Sequence, residues 1–243
     1  VSIGQSGALP TEVQVFVNQS HLSEEVALGE MVDKSKEKKD KVVVFDRGLK
    51  GRKTLGSYSE GGIKFVTRGG HNLKYEVVRS HDNVQGRSTE TLDLEQDSIV
   101  HLFGDGGKKT KELFRLVIAR RKSNGLLIYF LTNILDVTAE EVTEIYKRRW
   151  DIEVFFRFIK QELGFENLIS LNENGIKVMV YIRLIAATML EIYRLANKND
   201  GYKISKLKFK QELQMEIFRA MLTLAGGDLT ALDRNLIDYK GIF

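Results

Sequence analysis

The sequence contains no cysteine and only one proline, Pro10. Without cysteine, the chain can form neither a disulfide bond nor a metal site with thiolate ligands. It must therefore rely on its hydrophobic core, and 243 residues, 42% of them hydrophobic, are enough to build one. We also find no proline-rich linker, internal repeat or low-complexity tract that would divide the chain.

An excess of charge of one sign is nearly lacking as well. The 37 lysine and arginine residues against 33 aspartate and glutamate residues give a net charge of only +4. This balance is compatible with a nucleic-acid partner but does not identify one. The longest apolar stretch, residues 176–196, is interrupted by charged residues and predicts a core helix rather than a membrane span. We expect a cytoplasmic protein without membrane contact, and the lack of cysteine fits the reducing conditions of that compartment.

The first part of the sequence predicts alternating strands and helices. Residues 12–18 alternate between polar and apolar and predict a strand, followed by a helix from about residue 23 to 33. The run Val42–Phe45 is apolar throughout, which is typical of a strand buried on both faces in a parallel or mixed sheet. It ends at Asp46, and another strand is predicted at residues 62–68.

The middle of the sequence is rich in strands and the last part in helices. Strands are predicted at residues 73–79, 99–103, 114–119 and 126–131, and helices at about 138–163, 176–197 and 205–225. This order indicates an α/β core interrupted by a β-rich insertion. We place the first part of the core at residues 1–70, the insertion at 71–125, and the second part of the core with the C-terminal helices at 126–243.

The helix predicted from Thr138 carries the most informative polar residues. Thr138 and Glu141 have the spacing of a capping box, and Gly164 stands where a C-terminal glycine cap belongs. At roughly 100° per residue, four polar side chains fall within an arc of about 60° beside an apolar stripe. These four residues are Tyr146, Arg149, Glu153 and Lys160.

Both acids of interest also have a purely structural interpretation. Arg149 and Glu153 are four residues apart, and such pairs usually lie on a solvent-exposed helix face. Asp46 before Arg47 and Gly48 could simply form a turn. However, sheets of the parallel type place ligand sites at the carboxyl ends of their strands. Asp46 and Glu153 together would suit two hard divalent ions such as Mg²⁺, about 3.5–4 Å apart.

The spacing Tyr-x2-Arg-x3-Glu-x6-Lys, formed by Tyr146, Arg149, Glu153 and Lys160, resembles the Y-R-E-K signature of the insertion-sequence-4 family of DDE transposases. The surrounding sequence YKRRWDIEVFFRFIKQELGFENL is similar to that family too. So is the segment VVVFDRG, which corresponds to the region of the second catalytic aspartate. The similarity covers about residues 10–195.

The resemblance implies a ribonuclease H-like mixed sheet, flanked by helices and interrupted by the β-rich insertion. It implies a DNA transposase that cuts transposon ends and joins them to target DNA with Mg²⁺ or Mn²⁺, as two ions. Asp46 and Glu153 would be catalytic metal ligands, and Tyr146, Arg149 and Lys160 would bind DNA phosphates. The implied partners are double-stranded DNA and a second copy of the chain, in the prokaryotic cytoplasm at the nucleoid.

The family's first catalytic aspartate has no counterpart in the sequence. It would lie upstream of residues 12–18, where the sequence has no acid, and Asp33 and Asp40 are poorly placed substitutes. We therefore expect the chain to be truncated at its N-terminus, which leaves the first part of the core incomplete there. Such a chain would lack one metal ligand, bind metal weakly and cut little DNA.

Several basic residues outside the signature are weaker candidates for DNA contacts: Arg47, Arg120, Arg121, Lys122 and Arg148. Surface charges of this kind are more often merely solvated. Two alternative functions remain open. One is a ribonuclease H-like nuclease that cuts without strand transfer, and the other is an incomplete transposase that only binds DNA.

Overall fold

The computed structural model describes residues 2–4, 7–9, 26, 29–32, 41–46, 51–81, 84, 86–164, 172–199 and 201–230. The chain forms two compact units. We call Gln14–Glu153 the sheet unit, and Val1–Val13 with Val154–Phe243 the helical unit. No helix in the described ranges is both long enough and apolar enough to span a membrane.

The described residues of the helical unit form a short hairpin and the helices that follow Glu153. Strands β1 (Ser2–Gly4) and β2 (Gly7–Leu9) pair in antiparallel fashion. The helical residues from Val154 onward pack around a small core that includes Phe158, Leu184 and Leu190. Its two complete helices are Glu173–Ala196 and Tyr202–Leu224.

The described strands of the sheet unit form one six-stranded mixed sheet. They are β3 (Val42–Phe45), β4 (Lys64–Gly69), β5 (Tyr75–Ser80), β6 (Leu92–Leu102), β7 (Phe114–Arg121) and β8 (Leu127–Thr132). Their order across the sheet is β3-β4-β8-β7-β6-β5. Only the β3–β4 pair is parallel, and every other neighbouring pair in this sheet is antiparallel.

In the described ranges, three helices with defined bounds accompany the sheet, besides the helical residues 29–32. Helix α1 (Arg52–Glu60) connects β3 to β4, and α2 (Ala139–Lys147) follows β8. Helix α3 (Arg149–Glu162) begins in the sheet unit directly after Arg148. The helices Glu173–Ala196 and Tyr202–Leu224 are accordingly α4 and α5.

Helices α1 and α2 cover opposite faces of the sheet. Neighbouring residues of one strand therefore pack against different helices, because their side chains point to opposite faces. Phe65 packs in one cluster with Leu55 and Tyr58 of α1. Its neighbour Val66 packs in another with Val142 and other residues of α2. The mixed α/β fold class predicted from the sequence is thus confirmed, and the architecture is consistent with a ribonuclease H-like transposase fold.

Most predicted strands and helices within the described residues are present, with three differences. Helix α1 was not predicted, although Leu55 and Tyr58 have helical spacing and Gly51 and Gly61 flank the segment. Strand β6 begins at Leu92 rather than at residue 99, because the alternation of apolar with charged residues continues upstream. The single helix predicted over 138–163 is interrupted at Arg148.

Two further predictions concern the edge of the sheet. The expectation that Val42–Phe45 is buried on both faces is wrong, since Val42 is exposed and only Phe45 is buried. In the described sheet, β3 is an edge strand. The strand predicted at 12–18 and most of the helix predicted at 23–33 lie outside the described residues, although residues 29–32 are helical.

The segment predicted as an insertion contributes β5, β6 and β7 to this same sheet rather than to a separate one. Strand β8 joins the two parts, because it pairs with β4 on one side and β7 on the other. The domain boundaries at residues 70 and 125 remain a prediction.

The aromatic cluster around Phe65 should dominate the stability of the sheet. The Phe65 ring is fully buried, with centroids 5.7 Å from Phe45, 6.4 Å from Tyr58 and 6.2 Å from Phe114. We expect Phe65→Ala to lower the free energy of unfolding by about 3–5 kcal/mol, because it leaves a cavity. Urea unfolding measures this effect. The exposed Val78 is the control, since Val78→Ala should change the value by less than about 0.5 kcal/mol. Equal effects of the two substitutions would contradict this account of the core.

Candidate active site

Asp46 lies immediately after β3, at the carboxyl end of the parallel strand pair. Phe45 is opposite Thr67 of β4, and the Thr67 hydroxyl donates a 3.5 Å hydrogen bond to the backbone carbonyl of Asp46. The Asp46 side chain is exposed. Its position is the one at which sheets with parallel strands commonly present ligand-binding groups.

Helix α2 places Tyr146 above the same end of the sheet. The predicted capping box is present: Glu141 N–H donates to Thr138 Oγ1 at 3.2 Å, and Thr138 N–H donates to Glu141 Oε2 at 2.6 Å. The buried Tyr146 ring packs edge-on against Phe130 of β8, with centroids 5.4 Å apart. Its hydroxyl donates a 3.0 Å hydrogen bond to Asp46 Oδ1.

The helix interruption at Arg148 brings Arg149 to the start of α3. Asp151 N–H donates to the Arg148 carbonyl at 3.0 Å, so the backbone is wound more tightly at this point than in an α-helix. The Arg149 guanidinium carbon lies 5.5 Å from the centroid of the Tyr146 ring, within the range of a cation–π contact. Arg149 Nη1 also binds Glu153 Oε1 at 2.6 Å.

Four of the residues singled out in the sequence therefore form one connected row in the sheet unit: Asp46, Tyr146, Arg149 and Glu153. We call them the acid–phenol–arginine row. Burial, which would lower the pKa of Arg149, is outweighed by the hydrogen bond to Glu153 and by attraction to Tyr146, Asp46 and Glu153, so this pKa is raised. Arg149 thus interacts electrostatically with both acids of the row and stays charged.

The row borders a groove of about 240 Å³ between the sheet and the α2–α3 junction. Tyr146 and Arg149 line it together with Arg68, Arg121 and the largely exposed Trp150. The Arg68 guanidinium carbon lies 6.0 Å from the Tyr146 ring centroid, so two arginines accompany this phenol. The Nε atoms of Arg68 and Arg149 are buried and make no hydrogen bond to the described part of the chain.

Arg68 was missed in the sequence because it lies inside a predicted strand. The available signal was its position two residues after Val66, which puts both side chains on the same face of β4. Val66 packs in the cluster that contains Tyr146. Lys64 alternates onto the same face, however, so this pattern does not single out Arg68. Only the order of the strands shows that Arg68 meets Tyr146.

The other basic candidates differ in their surroundings. Arg121 lines the groove, whereas Arg120 binds Glu95 at 2.6 Å and the Gly125 carbonyl at 3.2 Å. Lys122 donates to the Thr89 carbonyl at 2.8 Å and lies 3.6 Å from an oxygen of Asp93.

Arg148 is exposed at the interruption between α2 and α3. Lys160 is exposed on the part of α3 that belongs to the helical unit, and Arg47 lies outside the described residues. The described residues contain no cluster of three or more histidine or acidic side chains arranged to hold a metal ion.

A family model described as a transposase DDE domain matches residues 3–189. The chain belongs to the transposase DDE domain family. The resemblance seen in the sequence is therefore confirmed at the level of DDE transposases.

Three curated relatives of this DDE domain are named provisionally as transposases. One is a transposase for insertion sequence element IS4SA from Synechocystis sp., 27% identical over 184 residues that cover 68% of this chain and 51% of the relative. A second is transposase y4zB from Sinorhizobium fredii, 28% identical over 64% of this chain and 43% of the relative.

The third is a transposase for insertion sequence element IS5377 from Geobacillus stearothermophilus. It is 26% identical over 203 residues, which cover 83% of this chain and 51% of the relative. The DDE domain therefore spans about half the length of the curated relatives that it matches.

The surroundings of Tyr146, including its hydrogen bond to Asp46, should make the stability of the fold depend on pH. Burial and then the charge of Asp46 raise the pKa of the Tyr146 phenol, while Arg149 and Arg68 partly oppose the shift. The folded domain thus keeps this proton at pH values where the unfolded chain, with a tyrosine pKa of about 10, has lost it. The contribution of this proton to the free energy of unfolding is fully present below about pH 10. It is lost as the pH rises through the pKa of Tyr146 in the folded domain.

We expect Tyr146→Phe to cost about 1 kcal/mol of unfolding free energy near neutral pH, because the hydrogen bond to Asp46 is lost. The difference from the wild type should shrink as the pH rises past about 10. Urea unfolding at a series of pH values measures both effects. A difference that does not change with pH would contradict the inferred protonation of the phenol.

Proposed function

We propose that this DDE domain supplies two metal-binding carboxylates for metal-dependent cleavage of transposon-end DNA and transfer of the cut strand to target DNA. Without a counterpart of the family's first aspartate, these 243 residues would cut little DNA by themselves. The observation that carries the proposal is the acid–phenol–arginine row, which links Asp46 at the sheet edge to Glu153 on α3 through Tyr146 and Arg149. Such chemistry requires carboxylates for divalent ions beside cations that hold the phosphate backbone.

The donor set is compatible with Mg²⁺ or Mn²⁺. Hard divalent cations prefer oxygen ligands and commonly bind through one or two carboxylates together with substrate phosphate. Asp46 and Glu153 offer carboxylates of this type. When bound, such ions would supply positive charge at the attacking and leaving oxygens of the scissile phosphate.

Tyr146 and Arg149 would orient the two acids before substrate arrives. The Tyr146 hydroxyl fixes the rotation of the Asp46 carboxylate, and Arg149 holds one oxygen of Glu153. A guanidinium has five N–H donors in a planar fork. Arg149 can therefore keep Glu153 and still donate to a phosphate in the groove, with Arg68 beside it.

Lys160 would attract DNA phosphate through the positive charge of its ammonium group. In the active complex, double-stranded DNA would be bound by two copies of the chain, in the cytoplasm at the nucleoid.

Strand-transfer products detected on a gel would distinguish this function from that of a nuclease that only cuts. DNA binding without any cutting would instead indicate the incomplete transposase.

Metal binding can be tested through the single tryptophan of the chain, Trp150, which directly follows Arg149. Terbium(III) is a hard cation whose emission appears when a nearby excited tryptophan transfers energy to it. We expect Trp150 excitation to yield terbium emission that Mg²⁺ or Mn²⁺ displaces. Asp46→Asn and Glu153→Gln should each weaken the apparent affinity at least about tenfold, since even the loss of a group that orients a ligand typically costs that much.

Matched controls use exposed acids that lie outside the row, as Asp136→Asn and Glu60→Gln. These should leave the terbium titration unchanged. If the controls weaken binding as much as the substitutions at Asp46 and Glu153, the terbium measures diffuse negative charge and the proposed site is wrong.

DNA binding offers a second test, in which two neighbouring arginines are compared. Arg121 lines the groove, whereas Arg120 is engaged by Glu95 and a backbone carbonyl. If Arg121 contacts one phosphate, Arg121→Ala should reduce the slope of log affinity against log salt by about 0.9. Arg120→Ala should leave this slope nearly unchanged.

Fluorescence anisotropy with a labelled duplex at several salt concentrations measures these slopes. Equal slopes for the wild type and both variants would remove Arg121 from the proposed DNA path.

A further inference from the structure

A buried ion pair lies in the sheet close to the start of α2. Asp97 on β6 and Arg115 on β7 are almost fully enclosed, with side-chain exposures of 1% and 5%. The pair is bidentate: Arg115 Nε donates to Asp97 Oδ1 at 2.8 Å, and Nη2 donates to Oδ2 at 2.6 Å. Neither residue belongs to the acid–phenol–arginine row.

The remaining nitrogen of Arg115 reaches the segment that leads into α2. Arg115 Nη1 donates to the backbone carbonyls of Leu135, at 3.3 Å, and Val137. Val137 immediately precedes Thr138, the N-cap of α2. One guanidinium thus connects two strands of the sheet to the residue just before the N-cap of the helix that carries Tyr146.

Packing alone does not explain why a charged pair occupies this position. Burying two charges removes them from water, and a well-packed apolar pair of similar volume is often as stable or more so. What an apolar pair cannot do is bind a carboxylate and two carbonyls in fixed directions. The planar fork of an arginine does this, and it therefore fixes the place at which α2 begins.

The position of the helix start matters for Tyr146, which lies two helical turns further along. A register change of a single residue at Thr138 would move the helix by about 1.5 Å along its axis and turn its side chains by about 100°. A hydrogen bond such as the 3.0 Å contact from Tyr146 to Asp46 would be lost with a shift of this size.

A second contact acts on the same end of α2. Arg87, in the segment between β5 and β6, binds Glu140 through two nitrogens, one of them Nε at 2.8 Å from Oε1. The side chains of this pair are partly exposed. It therefore supplements the buried pair rather than replacing it.

We propose that Asp97 and Arg115 are positioning residues that hold α2 in the register at which Tyr146 meets Asp46. The segment predicted as an insertion would then have a direct part in building the active site, because β6 and β7 belong to it. The catalytic meaning of this role rests on the proposed function. The geometric role does not, because it requires neither metal nor DNA.

The absence of native cysteines allows the geometry to be measured with two introduced spin labels. Ser57→Cys on α1 and Glu144→Cys on α2 place labels at exposed positions on helices that cover opposite faces of the sheet. Double electron–electron resonance then gives their distance distribution. Urea unfolding of the same proteins checks that each variant is folded under the conditions of the measurement.

Two variants address the ion pair. Arg115→Lys keeps the charge but loses the fork, and the double variant Asp97→Leu/Arg115→Met replaces the pair with apolar side chains that can sustain the fold. For the wild type, we expect a single narrow peak in the distance distribution. In both variants, this peak should shift or broaden. Arg120→Lys, in the exposed pair with Glu95 on the same strands, is the control and should keep that peak.

The terbium titration tests whether the position of α2 affects metal binding at Asp46 and Glu153. In the folded double variant, we expect the apparent affinity to fall about 10–100-fold, the range typical for loss of a group that orients metal ligands. Wild-type distance distributions in both variants would overturn the proposal. Altered distances together with a terbium signal that Asp46→Asn leaves unchanged would uphold the positioning role and refute the proposed metal site.

Discussion

The hydrogen bond from Tyr146 to Asp46 is the contact on which the candidate site depends. It joins residues 100 positions apart in the sequence. Asp46 follows the edge strand β3, and Tyr146 lies on α2, which packs on the neighbouring strands β4 and β8. Arg149 reaches the site because it packs on the Tyr146 ring, and Glu153 is held because it binds Arg149. The Tyr146–Asp46 contact adds a directed hydrogen bond to the attraction that Arg149 exerts on both acids.

Both partners of this bond are positioned by backbone structure. Asp46 is held through the parallel pairing of β3 with β4, where Thr67 binds its carbonyl. Tyr146 is held by a capped helix whose inner residues, such as Val142, are fully buried on the sheet. The polar site therefore uses two rigid elements with apolar support, which is the arrangement that keeps functional side chains in defined positions.

Much of this could be predicted because the signals are local. The capping box at Thr138 and Glu141 and the apolar run before Asp46 are visible within a few residues. The contribution of Arg68 was not visible, because it depends on which strand faces α2, and that is a matter of sheet order. For the same reason, the ion pair of Asp97 with Arg115 could not be anticipated, since the two residues lie on different strands and both look like ordinary surface charges.

The interruption at Arg148 has a consequence for the geometry of the signature residues. A tightly wound step advances the chain by about 120° instead of 100°, so one such step turns everything after it by about 20°. The hydrogen bond from Asp151 to Arg148 places this step before Glu153, so it turns Glu153 relative to Tyr146. In an unbroken helix, Glu153 would point about 20° away from Tyr146, and the extra turn offsets that angle. Deleting or inserting one residue here would rotate Glu153 by about 100° and carry its carboxylate away from Tyr146 and Asp46.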